Sequence, residues 1–341
     1  GGIRLMAIID KPSDYFNTKL YTGNGSTQSI TGVGFQPDWV WLKARSSAYS
    51  HQLFDVARGA TKLLSSEETS AEQTLSGVTS FDSDGFAVGS DAGSNNNTTT
   101  FASWNWKAGG SASNNTDGDI TSSVSVNQEA GFSIIKYDSN NTAGQTVGHG
   151  LGVTPNFLIF KKIDGATNWH CWNDALATTN YINLNLTDAQ SSSSDWLGVS
   201  SSLITLKTNW GVTNDGGNFI CYAFAEKKSF SKIGSYIGSG SDVFINTGFK
   251  VGWLLVKVVD GINGWLVIDT KRSPANPQGK YIYSNASSAE GTVTYGEFFS
   301  NGFGWKGTNS IAVNQSGKQY IYYAIAENPF VTSTGVPATA R

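Results

Sequence analysis

Lys43, Lys161 and Lys257 are each followed, twelve residues later, by Asp55, Asn173 and Asp269. A lysine and a carboxylate at fixed spacing could shuttle a proton or hold an anion. An amide cannot exchange a proton near neutral pH, so Asn173 argues against general acid–base chemistry for this column. Asp and Asn alike accept the backbone N–H two residues on, and "DVARG", "NDALA" and "DTKRS" suit such an Asx turn at a strand end. The lysines are expected to end strands, with the stem on apolar surface and the ammonium in water.

The other chemical groups form no pattern. His51, His149 and His170 share no column, there is no G-x-S-x-G nucleophile elbow, and zinc spacing is absent. His170, between two tryptophans in "NWHCWN", reads as a packed, hydrogen-bonded ring. Cys171 and Cys221 lie in apolar strand-like text and read as buried free thiols. "DSDG" at 82–85 and "NNTDGD" at 114–119 resemble calcium loops but lack the terminal Glu, which favours turn chemistry. "NPQGKY" at 276–281 is not a phosphate-binding loop. No catalytic residue, metal site or cofactor is assigned, and the chain is expected not to be an enzyme.

Eleven tryptophans are many, and most lie in strand registers. Trp196, Trp210 and, more weakly, Trp305 sit in polar, loop-like text, so exposed rings for sugar stacking or an interface are expected there.

The elements that must position these residues come in three copies. "FQPDWVWLK", "VTPNFLIFK" and "FKVGWLLVK" precede or include the three lysines, and each unit closes on an aromatic strand, "FASWNWKA", "FICYAFAE" or "YIYYAIAE". Alternating or wholly apolar runs of five to eight residues, broken by Gly, Asn, Asp and Ser, indicate strands. The best helical candidate is the short "VARGATKLL". In the closing strands Trp104 and Trp106, Tyr222 and Phe224, and Tyr323 and Ile325 share one parity. The opposite parity is small: Ser103, Cys221, Ala223, Ala324. The rings are expected between the two layers of each sandwich, with the small face admitting a neighbour. The fold class is all-β, as three tandem β-sandwich repeats of jelly-roll or lectin-like kind.

The expected boundaries are an N-terminal arm at 1–15, repeat one at 16–108, a flexible polar linker at 109–130, repeat two at 131–227, repeat three at 228–333 and a tail at 334–341. Whether the repeats are separate or pack as one body about a pseudo-threefold axis is open at this stage. Met6 is the only methionine and is expected to be the natural start, with 1–5 from a tag or upstream translation.

Charged residues make up 14% of the chain, net charge is −3 and no basic run occurs, which disfavours nucleic-acid binding. No apolar stretch approaches the ~18 to 20 residues of a bilayer span, and no secretory leader is evident. Cytoplasmic synthesis without membrane insertion is expected.

"GFQPDWVWLKAR", "LFDVARGATKLLSS", "TSFDSDGFAVGSD", "ASWNWKAGG", "TVGHGLGVTPNFLIFKK" and "AIAENPFV" resemble repeated β-domain proteins of marine bacteriophages. The resemblance covers the chain from Met6 onward. It implies a virion protein, structural or tail-fibre-like, with other virion proteins and host surface polysaccharide as partners. Its rivals are a capsid decoration and a polysaccharide depolymerase. A homotrimer agrees with the resemblance, though no heptad repeat specifies one.

Overall fold

The computed structural model describes residues 8–193, 196–207, 211 and 213–336. Its regular secondary structure is almost entirely strand. Repeat one contains β1 (Phe16–Thr22), β2 (Gln28–Thr31), β3 (Trp39–Ala44), β4 (Gln52–Asp55), β5 (Gly59–Leu64), β6 (Gln73–Thr74), β7 (Val78–Asp82), β8 (Gly85–Val88) and β9 (Thr100–Trp106). A four-residue helix, α1 (Ala92–Asn95), precedes β9. The segment "VARGATKLL" is a turn followed by β5. Its turn is organised by the Asp55 carboxylate, which leaves no room for a helix.

The 109–130 segment carries β10 (Ser113–Asn115) and β11 (Ser122–Asn127). Repeat two contains β12 (Phe132–Ser139), β13 (Gln145–Gly148), β14 (Phe157–Lys162), β15 (His170–Asn173), β16 (Asn180–Asn183), β17 (Ser191–Ser192), β18 (Leu197–Val199), β19 (Leu203–Leu206) and β20 (Gly217–Phe224). Repeat three contains β21 (Ser231–Ile237), β22 (Val243–Asn246), β23 (Phe249–Val258), β24 (Leu266–Asp269), β25 (Gln278–Tyr283), β26 (Gly291–Phe299), β27 (Gly302–Trp305) and β28 (Gln319–Pro329).

One strand order recurs. The large sheets run β1-β9-β3-β4-β5-β6 and β12-β20-β14-β15-β16-β17, and the small sheets run β2-β8-β7 and β13-β19-β18. In repeat three β25 pairs with β26, so the same order continues as one line of eight strands, β21-β28-β23-β24-β25-β26-β27-β22. All named strand pairs are antiparallel, which short hairpin connections allow.

The expected polar linker is not a flexible tether. β11 pairs with β12 and extends the sheet of repeat two. Its two buried serines are hydrogen-bonded: Ser122 Oγ donates to the Gly148 carbonyl and Ser125 Oγ to that of Gly110. Val124 lies between them, buried. Composition suggested disorder, whereas the alternation in "SSVSVN" was a strand signal.

The two faces of each large sheet have different partners. In repeat one Val40, Leu42 and Phe54 face the small sheet and pack on Ile30, Phe86 and Val88. The opposite parity, Trp39, Trp41, Trp104 and Trp106, joins a core shared with Phe132, Tyr222 and Phe224 of repeat two and Trp253 and Tyr323 of repeat three. Trp39 stacks on Tyr222 at 4.4 Å, Phe224 meets Tyr323 at 5.0 Å, and Trp106 meets Trp253 at 5.5 Å. The large rings therefore fill the space between repeats, and the small-residue face packs inside each sandwich, the reverse of the expected assignment. The three repeats form one body.

Residues 8–15 belong to that body. Ile9 is buried, Pro12–Asp14 form a turn of 3₁₀ helix, and Asp10 accepts hydrogen bonds from Ser333 in the C-terminal segment.

Candidate functional site

The recurring columns meet where repeats touch. Trp169 Nε1 of repeat two donates to the Ser65 carbonyl of repeat one at 2.9 Å, and Trp265 Nε1 of repeat three donates to the Asn183 carbonyl of repeat two at 2.8 Å. His51 takes the same place in repeat one. Its Nδ1 accepts from Trp41 Nε1, which leaves the proton on Nε2, 3.0 Å from the Tyr283 carbonyl of repeat three. Burial holds this imidazole neutral by pushing its pKa down to about 3. Backbone bonds follow the same cycle: Glu72 N to Ile163 O, Gln190 N to Val259 O, and Glu290 N to Arg45 O. One over two, two over three and three over one close a ring with pseudo-threefold symmetry.

The lysine column lies inside this ring. Lys43, Lys161 and Lys257 have no exposed surface, so the expected ammonium in water is corrected. Each Nζ donates to the carbonyl one residue on, those of Ala44, Lys162 and Val258, at 2.7 to 2.8 Å. Lys161 also reaches Thr69 O of repeat one, and Lys257 reaches Thr187 O of repeat two. Burial pushes their pKa values down to about 8, about 8 and about 7. The strands of Lys161 and Lys257 run on into the seam, so their stems point at a neighbouring repeat where solvent was expected.

The Asp/Asn column caps turns as expected. Asp55 Oδ1 accepts from Ala57 N and Arg58 N, Asn173 Oδ1 from Ala175 N, and Asp269 Oδ1 from Arg272 N. Sequence reasoning missed its second role. Arg58 Nε lies 2.5 Å from Asp55 Oδ2 and Arg272 Nε 2.5 Å from Asp269 Oδ2, with all four side chains buried. Desolvation opposes the charge on Arg58 more than any single neighbour favours it, but Asp55, Tyr222 and Glu72 together raise the pKa of Arg58. A neighbouring repeat completes each pair: Tyr222 Oη donates to Asp55 at 2.8 Å, and Trp104 Nε1 donates to Asp269 at 3.0 Å. Tyr222 and Trp104 occupy one closing-strand column, and Tyr323 is its third member. In repeat two the pair is Asn173 and Leu176, neutral at both positions. The signal was present as covariation: Asp-x-x-Arg twice, Asn-x-x-Leu once.

Two further columns went unread. Tyr21, Tyr137 and Tyr236 hydroxyls donate to the carbonyls of Ser94, Thr213 and Val313. Next to those carbonyls lie the buried Asn95, Asn214 and Asn314, whose side-chain amides bind loop carbonyls. These groups anchor loops.

Two of the three tryptophans expected to be exposed are not. Trp196 is fully buried, its Nε1 3.4 Å from the Asn180 carbonyl and its ring against Phe160 and Tyr181. Trp305 is 1% exposed and donates to the Tyr236 hydroxyl at 2.8 Å. Trp305 ends β27 and Trp196 stands directly before β18, and each ring folds inward over its own sandwich. Trp210 lies outside the described residues. His170 is buried as expected, against Tyr181, with its pKa pushed down to about 4 by burial. Cys171 and Cys221 are free and buried, and burial raises both thiols.

The exposed aromatic group is in repeat three. Phe244, 50% exposed, meets Phe299 edge to face at 5.5 Å across β27. Gly302 and Gly304 lie beneath: a Cβ on Gly302 would stand 2.9 Å from the Phe244 ring, and one on Gly304 would stand 3.1 Å from the Phe299 ring. The rings flank an open concavity of about 330 Å³ with Asp242, Glu297, Lys306 and the edge of Trp305. The Asp242 carboxylate accepts from Gly307 N at 2.7 Å, which ties the rim down. Phe244 was legible, because it shares strand parity with Asp242 and Asn246 and opposes Val243 and Ile245. Among the described residues no group of three or more His, Cys, Asp or Glu could hold a metal ion, and no helix is long and apolar enough to cross a membrane.

Fold and seams together define an all-β protein of three cyclically packed repeats. The chain belongs to the family described as Domain of unknown function (DUF7483), whose profile matches residues 11–329. No curated protein and no solved structure matches it.

Proposed function

We propose that the chain is a non-catalytic structural protein of a bacteriophage particle, tail-fibre or adhesin-like, that binds a host-surface saccharide in the groove of repeat three. The observation that carries this reading is the exposed Phe244, flanked by Phe299 and by the carboxylates of Asp242 and Glu297. A ring face beside carboxylate acceptors suits a sugar, whose C–H face stacks while its hydroxyls donate. The recurring ionisable columns are used in capping, ion pairing and seams, so they are not free to act on a substrate. The resemblance to marine phage β-domain proteins supports the particle. In seawater, salt of order 0.5 M shortens the Debye length to about 4 Å and favours stacking and neutral hydrogen bonds over long-range charge.

Phe244→Ala should abolish adsorption to host cells and binding to host polysaccharide, with the unfolding midpoint retained. Adsorption unchanged by Phe244→Ala would remove the groove from the reading. Antibody-gold labelling of intact particles should mark the tail. A second reading, capsid decoration, is favoured by the pseudo-threefold body, which matches a threefold position on a shell. It places the label on the head.

A further inference from the structure

The three first strands of the large sheets differ at their outer edges. In repeat two that edge is covered: β11 lies along β12, with Ser123, Ser125 and Asn127 opposite Lys136, Ile134 and Phe132. In repeat three the equivalent strand, β21, ends the sheet with no named strand beside it among the described residues, as β1 does in repeat one.

Hydrogen bonding fixes which groups face outward. Ala326 N donates to Phe230 O and Gly238 N to Lys318 O, so even-numbered residues bond to β28. The N–H and C=O groups of Ser235 and Ile237 therefore point away from the sheet. Ile233 N–H also points out, where the Glu226 carboxylate accepts it at 2.9 Å. Ile237 is 59% exposed.

The space beside this edge is hollow. In repeat two, β11 bridges to the end of β13 through Ser122 Oγ to Gly148 O, and Gln128 Nε2, just beyond the strand, reaches Gly150 O. In repeat three the matching position, between β21 and 246–248, is an open concavity of about 450 Å³. Lys227, Lys228 and Lys232 line it against one carboxylate, Glu226, which pairs with Lys232 at 2.9 Å. The hollow and its positive charge adjoin the Ser231–Lys232 end of β21, where Lys227 bridges to Ser231, and the free edge at Ser235 and Ile237 continues from it, where this chain elsewhere holds a strand of its own.

We propose that this groove takes an extended segment of another polypeptide, alternating aliphatic and small polar residues and carrying negative charge, as an added strand beside β21. The segment 116–129, "TDGDITSSVSVNQE", has this character and supplies the covering strand of repeat two. Backbone bonds to Ser235 and Ile237 would give affinity, and in the register of β11 on β12 the Glu129 end would approach Lys227 and Lys228, which would attract it.

A fluorescein-labelled peptide of sequence 116–129, titrated into the whole protein and followed by anisotropy, should bind saturably. Ser235→Pro removes an outward N–H and should weaken binding about tenfold, and Lys228→Glu should weaken it and reduce its salt dependence. Amide exchange needs no variant: Ser235 and Ile237 should exchange more slowly with peptide bound. Absence of saturable binding, undiminished affinity in Ser235→Pro or unchanged exchange at both amides would overturn the proposal. So would self-association abolished by Ser235→Pro, which would assign the edge to a second copy of the chain.

Discussion

Repeats one and two solve the same packing problem with different chemistry. At the turn after β4, repeat one buries Asp55 against Arg58 and adds the Tyr222 hydroxyl from its neighbour. At the equivalent turn after β15, repeat two buries Asn173 with Leu176. Both keep the capping oxygen, because the turn needs an acceptor. The charge is dispensable in pairs and not singly: a buried ion pair contributes little net stability, but half a pair leaves a desolvated charge.

The largest effect should follow from breaking that symmetry on one side. Arg58→Leu leaves the Asp55 carboxylate buried beside Tyr222 and should cost about 3 to 5 kcal/mol in denaturant unfolding. Asn173→Asp, which buries a carboxylate opposite Leu176, should cost a comparable amount. The double variant Asp55→Asn with Arg58→Leu copies repeat two into repeat one and should cost less than about 2 kcal/mol. A double variant as unstable as Arg58→Leu alone would show that the two chemistries are not interchangeable.

A smaller effect comes from the lysines, which all repeats share. Their folded pKa values, about 8, about 8 and about 7, lie below the ordinary 10.5. Between these values and 10.5 the unfolded chain binds protons that the folded chain has released, so stability rises with pH from 7 towards 10. The gain is on the order of 1 kcal/mol per lysine per pH unit within that window. Above pH 10 the buried tyrosines reverse it: Tyr222 and Tyr137 are raised by burial, so the unfolded chain ionises first. Lys257→Met should reduce the rise between pH 7 and 9.5 by about two fifths, the largest share of the three, because its folded pKa is the lowest. An undiminished rise would assign it to other groups. The smallest stability effect, within about 0.5 kcal/mol, is expected for Phe244→Ala on the exposed rim of repeat three.

Much of the architecture was legible because it is repeated. The lysine column and the Asx column set the register of the three units, and strand alternation gave the fold class. Parity identified which residues share a face, but not what covers the face. Trp104 and Tyr222 therefore read as the interior of a sandwich when they fill the space between repeats. The seams were hidden for the same reason, since the partners of His51, Trp169 and Trp265 are main-chain carbonyls of another repeat, which leave no mark in side-chain identity. Trp196 and Trp305 were misread from flanking composition, because Ser and Asp beside a tryptophan describe the loop and not the direction of the ring. Phe244 is marked by strand parity and not by residue type, since it shares the outer face of β22 with Asn246.

The central claim is that three sandwiches share one core and stand or fall together. Equilibrium urea unfolding of the whole chain, followed in parallel by tryptophan fluorescence and far-ultraviolet circular dichroism, tests it most directly. One transition with coincident midpoints by both probes is expected, with a slope suited to the whole chain. Two or three separated transitions, each with the slope of a unit of about 100 residues, would contradict it.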